Sequence, residues 1–448
     1  MASYPPKISQ QDFINKLIGT DAHWDGTELS FSFNSKSAPG AKLDSTYRGW
    51  IKSVLDQMHD LLGFDFVQTR GTGADFLFDG VDGTGNRVLT SDITPNGQLP
   101  QFYRAEVQFD TSWTANQSSN LDYGSYGYWL IIHNVLHAFG FDHPGNNDVT
   151  ASYFADAEQK NDTRKLTVMS FFDVEMDGSG TSHWFKEDGN WVKKYASTPM
   201  VFDLLALKKS DFGGHFAGYD FNSDTRKGND VYGYHVAAKL DDVFDFKVNH
   251  APIVTIYDAG GRDTLDLSGD NVSVRRVVHY NPDHTIAGYT ETARTTSLID
   301  LRPGKFSSTH GMDDNIAIAF RTRIENAIGT KFDDWMVGNN WNNRLTGQKG
   351  NDLLDGKKGN DVLKGGGGDD RFVFAKNYDH DTIIGFRDDH DVLLLNDNLL
   401  KNPMSKSKLL KTFAEQHKDG VVLDFGHGDV LKIKGIEIAQ LKDDIYFV

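Results

Sequence analysis

The stretch Gly347-Gln348-Lys349-Gly350-Asn351-Asp352-Leu353-Leu354-Asp355 is followed in register by Gly356-Lys357-Lys358-Gly359-Asn360-Asp361-Val362-Leu363-Lys364 and by Gly365-Gly366-Gly367-Gly368-Asp369-Asp370-Arg371-Phe372-Val373. This nine-residue period decides the fold of the second half of the chain, and it reaches back through units that start at Gly329 and Gly338. The sixth position carries Asp334, Asn343, Asp352, Asp361 and Asp370; the eighth carries Met336, Leu345, Leu354, Leu363 and Phe372. Glycines turn the chain tightly, the sixth-position oxygens face a cation, and the eighth-position side chain points into a thin core. Stacked turns of this kind form a parallel β-roll in which Ca²⁺ bridges neighbouring turns through carboxylates and backbone carbonyls. Several calcium ions are expected, held by those five sixth-position residues, with Gly347, Gly350, Gly356, Gly359, Gly365 and Gly368 shaping the loops around them. Gln348 and Lys357 replace the second glycine, while Phe332 and Trp341 stand where the fourth-position glycine belongs. Fewer ions than in a perfect array are therefore expected, with the best sites at Asp352, Asp361 and Asp370. Without calcium the carboxylates repel one another and the roll should be disordered. A Gly/Asp-rich linker would not keep strict period with an apolar residue at every eighth place.

Outward from the repeat, 448 residues exceed one ordinary core. The composition divides them into an N-terminal extension over 1–20, a mixed α and β domain over 21–215, and a strand-rich, Gly/Asp/Asn-punctuated domain over 216–448. A formal charge of −17 would repel phosphates and excludes nucleic acid as a partner. No apolar run approaches the roughly 18 residues of a membrane span. The polar start, Met1 to Gln10, has no basic n-region or apolar h-region, so a cleaved Sec signal is not expected. Cysteine is absent, so any metal must rest on His, Asp, Glu and carbonyl oxygen. In the first half, Leu29 to Phe33 alternates like a strand, Asp44 is placed to cap a helix through about Leu62, and Phe64 to Val67, Ala74 to Phe78 and Glu106 to Phe109 read as short strands. Tyr126 to Phe139 reads as a buried helix stopped at Gly140, and Phe202 to Ser210 as one more, closing the domain near Gly214. Tyr123, Tyr126, Tyr128 and Trp129 read as core packing.

His133-Asn134-Val135-Leu136-His137-Ala138-Phe139-Gly140-Phe141-Asp142-His143 carries the chemistry. His133 and His137 stand one helical turn apart on one face, so both imidazoles can reach one ion. Gly140 breaks the helix and lets the chain return His143 as a third ligand. Three histidines with an open fourth position make a catalytic-type zinc site, and one Zn²⁺ is expected. Three unrelated histidines would not keep this spacing around a glycine.

These residues resemble the metzincin signature H-E-x-x-H-x-x-G-x-x-H, and together with the nonapeptide repeats the chain resembles the serralysin family of secreted bacterial zinc metalloproteases. The resemblance extends over Trp24-Asp25-Gly26, Asp162 to Ser170, Pro199 to Gly213, Asp230 to Gly233, Tyr257 to Asp266, Ile324 to Gly329 and the acidic-then-apolar end Asp443 to Val448. It implies an α+β metzincin protease-like domain followed by an all-β parallel β-roll/β-sandwich domain. It also implies a Met-turn at Met169 beneath the zinc, a calcium-binding role for Asp263, export by type I secretion machinery and a peptide or protein as substrate or ligand.

Two positions depart from that family. Its general-base glutamate is replaced by Asn134, and its Met-turn tyrosine by Phe171. An amide accepts no proton near neutral pH, and losing general acid–base assistance costs about 10²–10⁴ in rate. Three readings stay open: a peptide-binding pseudoprotease, a metalloendopeptidase using an atypical base, and a secreted structural or surface protein. Asp142, Glu158, Asp173 and Glu175 are the candidates for such a base; Asp142 is expected to face away from the water after the helix break, and a solvated loop is the expected setting for all of them. No membrane span is expected, and oligomeric state is not readable.

Overall fold

The computed structural model describes residues 5, 7, 9–19, 22–34, 41–93, 100–145, 153–157, 159–160, 162–207, 222–237, 240–282, 285–400 and 404–448. The chain divides into two compact units, the first formed by 1–225, 249–257 and 276–290, the second by 226–248, 258–275 and 291–448. No helix among the described residues is long and apolar enough to cross a membrane.

The first unit is α+β. Helix α1 (Gln10–Leu17) starts at Ser9, whose hydroxyl accepts from Asp12 N–H. Its Phe13, Ile14 and Leu17 are fully buried, and the Phe13 ring meets Phe202 edge-on at 5.1 Å. The segment expected as an extension therefore supplies part of this unit's core; three apolar positions on one face were the available signal. Strand β1 (Glu28–Phe33) leads to α2 (Ser45–Leu62), capped by Asp44 and ended by Gly63 at φ 73°. Strands β2 (Asp65–Gln68), β3 (Phe76–Val81), β4 (Arg87–Ile93) and β5 (Gln101–Asp110) complete a sheet in the order β2-β1-β3-β5-β4. All pairs are parallel except β4 with β5, and β4 forms the edge. Beneath the sheet lies α3 (Tyr126–Ala138), capped by Ser125 and buried almost all round. Tyr128 and Trp129 are fully enclosed and Tyr123 nearly so, as expected of core residues. The last helix of the unit is described over Val201–Leu207; its expected continuation to Ser210 and the close near Gly214 lie outside the described residues.

The second unit carries a parallel β-roll. One sheet pairs Asn326–Ile328, Arg344–Lys349, Val362–Gly367 and His380–Ile383 in order; the other pairs Thr296–Asp300, Asp333–Val337, Leu353–Asp355, Arg371–Phe374, Val392–Leu395 and Ile445–Phe447. Successive nonapeptides fall in alternate sheets, so two units make one coil. Leu345 pairs with Leu363, and Met336 with Leu354 and then Phe372. These eighth-position side chains are fully buried and form the thin core between the sheets.

A second device holds the coils. The backbone N–H of Asp334 donates to Asp352 Oδ1 at 2.8 Å, and that of Asp352 to Asp370 Oδ1 at 3.0 Å. On the other sheet Asn343 N–H donates to Asp361 Oδ1 at 2.7 Å, and Asp361 N–H to Asp381 Oδ1 at 2.9 Å. The first-position glycines are needed here, because a Cβ on Gly347 or Gly365 would sit 2.0 Å from the Asp352 or Asp370 carboxylate. Gln348 instead holds φ at 88°, a backbone region costly to any residue with a Cβ, whereas the equivalent Gly366 holds 127° freely. Gln348 is solvent-exposed, so Gln348→Gly should remove this strain and, after the entropic cost of glycine, raise stability by up to about 1 kcal/mol. A lowered thermal midpoint of the calcium-loaded chain would refute that.

Candidate metal centres

Helix α3 presents His133 and His137 on one face, and Gly140, at φ 91°, turns the chain so that His143 returns to them. The three Nε2 atoms form a nearly equilateral triangle, 3.1 Å between His133 and His137, 3.2 Å between His137 and His143, and 3.1 Å between His143 and His133. Tetrahedral coordination at a Zn–N distance of roughly 2.0–2.1 Å would place ligand nitrogens about 3.3 Å apart, close to this triangle. The opposite ring nitrogens fix the tautomers. His133 Nδ1 lies 2.9 Å from Val168 O and His137 Nδ1 2.8 Å from Phe141 O, so each must donate there and leave its Nε2 lone pair facing the others. His143 Nδ1 lies 3.5 Å from Asp142 Oδ1. Burial lowers the basicity of His133 and His137, and for His133 the neighbouring histidines add to the effect. Three converging lone pairs repel one another unless a cation sits among them, so the residues present fit zinc.

The turn carrying Met169 is tied to this cluster through Val168, whose carbonyl receives His133. Met169 is fully buried. A residue not singled out by the sequence holds that turn. Asp203, fully buried on the helix Val201–Leu207, accepts from Val168 N–H at 2.9 Å, from Met200 N–H at 2.8 Å and from the Thr167 hydroxyl. Burial pushes its carboxyl up to about 7 despite these donors. Removing it strands two buried N–H groups, so Asp203→Ala should cost about 3–5 kcal/mol in urea unfolding followed by tryptophan fluorescence. Wild-type stability in that variant would show that the clamp is dispensable.

A cleft of about 510 Å³ opens over the histidines, lined also by Asn86, Arg87, Asn134 and Phe171. Asn134 is 4% exposed, and its Nδ2 has no hydrogen-bond partner. The Phe171 ring lies 4.7 Å from the His143 ring and 5.8 Å from that of His133. Both departures from the family pattern thus sit at the histidines. Of the alternative bases, Asp142 lines the cleft, but its Oδ1 accepts from His143 N–H at 2.7 Å and flanks the His143 ring. Asp173 and Glu175 are not on a solvated loop, contrary to expectation. Asp173 pairs with Arg164 and with Lys193 at 2.6 Å, and Glu175, wholly buried, pairs with Lys193 at 3.3 Å. Arg164 also stacks over Trp129 and donates to Ser170 O, which ties this ion network to the Met169 turn. Neither carboxylate lines the cleft. Glu158 lies outside the described residues.

In the second unit, Oδ2 of Asp263, Asp352, Asp361, Asp370 and Asp381 is buried without a hydrogen-bond partner. Burial pushes Asp352 and Asp361 up to about 8, Asp381 to about 9, Asp263 to about 7 and Asp370 to about 6, and neighbouring carboxylates add to each rise. Buried oxygens left without donors are costly, and an all-oxygen set with carbonyls close by suits Ca²⁺ rather than zinc. Asp334 and Asn343, the sixth-position residues outside the expected best sites, have side-chain oxygens that are already engaged. Asp334 Oδ2 already accepts from Thr330 N–H at 2.6 Å and Asn343 Oδ1 from Asn339 N–H at 2.7 Å. Asp381 escaped the sequence reading because it follows Asp361 by 20 residues, outside the nine-residue frame. Asp263 gathers with Asp230 and Asp258, one carboxylate oxygen of each lying within 4.8 Å of the others.

An α+β unit with a three-histidine site, joined in one chain to a parallel β-roll, defines a metalloprotease-like class. Residues 221–277 and 283–444 match the family described as Peptidase M10 serralysin C terminal. Serralysin of Proteus mirabilis is 31% identical over 310 residues, 64% of this chain and 53% of that protein. Metalloprotease AprA of Pseudomonas entomophila is 26% identical over 353 residues, 75% of this chain and 64% of that protein. Serralysin B of Dickeya chrysanthemi is 32% identical over 229 residues, 50% of this chain and 39% of that protein. The chain thus spans less than two thirds of the length of these curated relatives. Extracellular lipase LipA of Serratia marcescens aligns over 50% of this chain and 37% of its own at 16% identity, with a TM-score of 0.22, and carries no argument. The chain belongs to the serralysin family.

Proposed function

We propose that this chain is an exported, calcium-folded serralysin relative that binds zinc through His133, His137 and His143 and engages a peptide or protein segment in the cleft, its peptidase chemistry lost or strongly weakened. The observation that carries the reading is Asn134, buried beside the three imidazoles where the family pattern has its base. Bound zinc would supply Lewis acidity and an open coordination position. The chain's own residues then decide the outcome. Asn134 can donate or accept a hydrogen bond but cannot take a proton from water, and Phe171 has no hydroxyl to stabilise a developing oxyanion. Asp142 is engaged with His143. Calcium binding is supported by the orphaned carboxylate oxygens of the roll, and export by the resemblance of Asp443 to Val448 to a type I signal. The test is zinc content measured beside casein cleavage: one zinc per chain with no turnover is expected. A zinc-free chain, or turnover far above a metal-stripped control that approaches the rate of an Asn134→Glu, Phe171→Tyr variant, contradicts the proposal.

A further inference from the structure

The replacement at Asn134 does more than remove a base; it reverses the polarity of the cleft. A glutamate here would place a negative acceptor next to the metal position and repel an incoming anion. Asn134 instead offers a buried donor, Nδ2, with nothing to receive it. A second orphaned donor lines the same cleft: Asn86 Nδ2, whose own Oδ1 is occupied by Asp110 N–H and Asn116 Nδ2. Arg87 adds an exposed guanidinium at the rim, positioned through Gln108. His133 and His137 hold their Nδ1 atoms against backbone carbonyls and turn their Nε2 atoms inward, toward the metal position. Among the described lining residues the one carboxylate, Asp142, is bound to its neighbour His143. Two unsatisfied amide donors, a guanidinium and a metal position all require an acceptor, and an anionic one above all.

We infer that the cleft captures the free C-terminal carboxylate of a peptide, which accepts from Asn134 Nδ2 beside the position where His133, His137 and His143 would hold zinc. The inference rests on the zinc reading above and adds the ligand class. A peptide, rather than a small acid, suits a cleft of about 510 Å³ bordered by strand β4, whose Val88 and Thr90 line it and whose outer edge, unpaired among the described residues, can take an extended chain.

The experiment is calorimetric titration of the zinc-loaded, calcium-saturated full chain, with zinc content measured for every variant. The probes are an acetylated apolar tripeptide as free acid, the same tripeptide amide, an amidated tripeptide bearing one glutamate, and acetate. The free acid should bind at least about tenfold more tightly than the amide. Asn134→Ala should cost the acid roughly tenfold and the amide clearly less, so that the preference for the acid shrinks, and Asn134→Glu should weaken the acid further while zinc is retained. Asn134→Ala introduces no charge, so it keeps the result readable should Asn134→Glu disturb folding. Equal binding of acid and amide in a zinc-loaded chain overturns the inference and leaves the zinc reading intact. Equal binding of the glutamate peptide or of acetate overturns the C-terminal assignment. A zinc-free wild-type chain overturns both.

Discussion

Stripping calcium from the full chain at about pH 8 should unfold the β-roll, with most of its far-UV β signal lost. Among the described residues, Oδ2 of each of the five aspartates Asp263, Asp352, Asp361, Asp370 and Asp381 lies buried in the second unit with no donor. An ionised carboxylate without a partner in such a setting costs several kcal/mol, and a domain's whole stability is only about 5–15 kcal/mol. Four of the five charges belong to the stacked coils, so a single vacancy is not relieved elsewhere. The pH dependence follows from the raised carboxyls, which run from about 6 at Asp370 to about 9 at Asp381. Their folded values exceed the unfolded one, so in chelator the stability they allow is fully present at low pH and is lost as pH rises through that window. Roll melting in chelator should therefore be higher at about pH 5 than at about pH 8. Excess calcium should invert the trend, because protons then compete with the ion for the same oxygens. A far-UV spectrum indifferent to chelator, or a chelated roll that gains stability with rising pH, would remove calcium from the account.

Restoring the two missing groups should produce the largest change in activity. Asn134→Glu supplies a proton acceptor beside the open metal position, worth about 10²–10⁴ in rate. Phe171→Tyr adds a hydroxyl to a ring already 4.7 Å from that of His143, worth roughly another 10²–10³. The double variant should cleave a quenched peptide at least about 10³ times faster than the parent chain, with zinc content unchanged. Should the double variant stay silent with zinc bound, the cleft itself has diverged beyond these two positions.

The roll was legible because period nine is a repeated physical unit: Leu345, Leu354, Leu363 and Phe372 each had to be apolar for the sheets to close. The histidine triangle was legible for a similar reason, since spacings of four and six residues around Gly140 leave little geometric choice. What escaped was whatever depends on contacts remote in sequence. Strand β4 carries polar and charged residues at an exposed edge and offers no clean alternation. Asp203 is a lone acid on an apolar helix, and only the fold shows Val168 and Met200 donating to it. Asp173 and Glu175 read as loop charges because Lys193, which buries them, lies about twenty residues on. Asp381 fell outside the repeat through two inserted residues, although its carboxylate continues the same ladder. Asp230 and Asp258 join Asp263 only in space.

The most direct test is a single-turnover assay of the unaltered chain, zinc-loaded and calcium-saturated, on a quenched peptide, run beside His137→Ala as the metal-deficient control. The expected result is one zinc per chain and cleavage no faster than the control. Cleavage well above the control, approaching the rate of the Asn134→Glu, Phe171→Tyr variant, would mean that another group serves as base and that the loss of peptidase chemistry has been wrongly assigned.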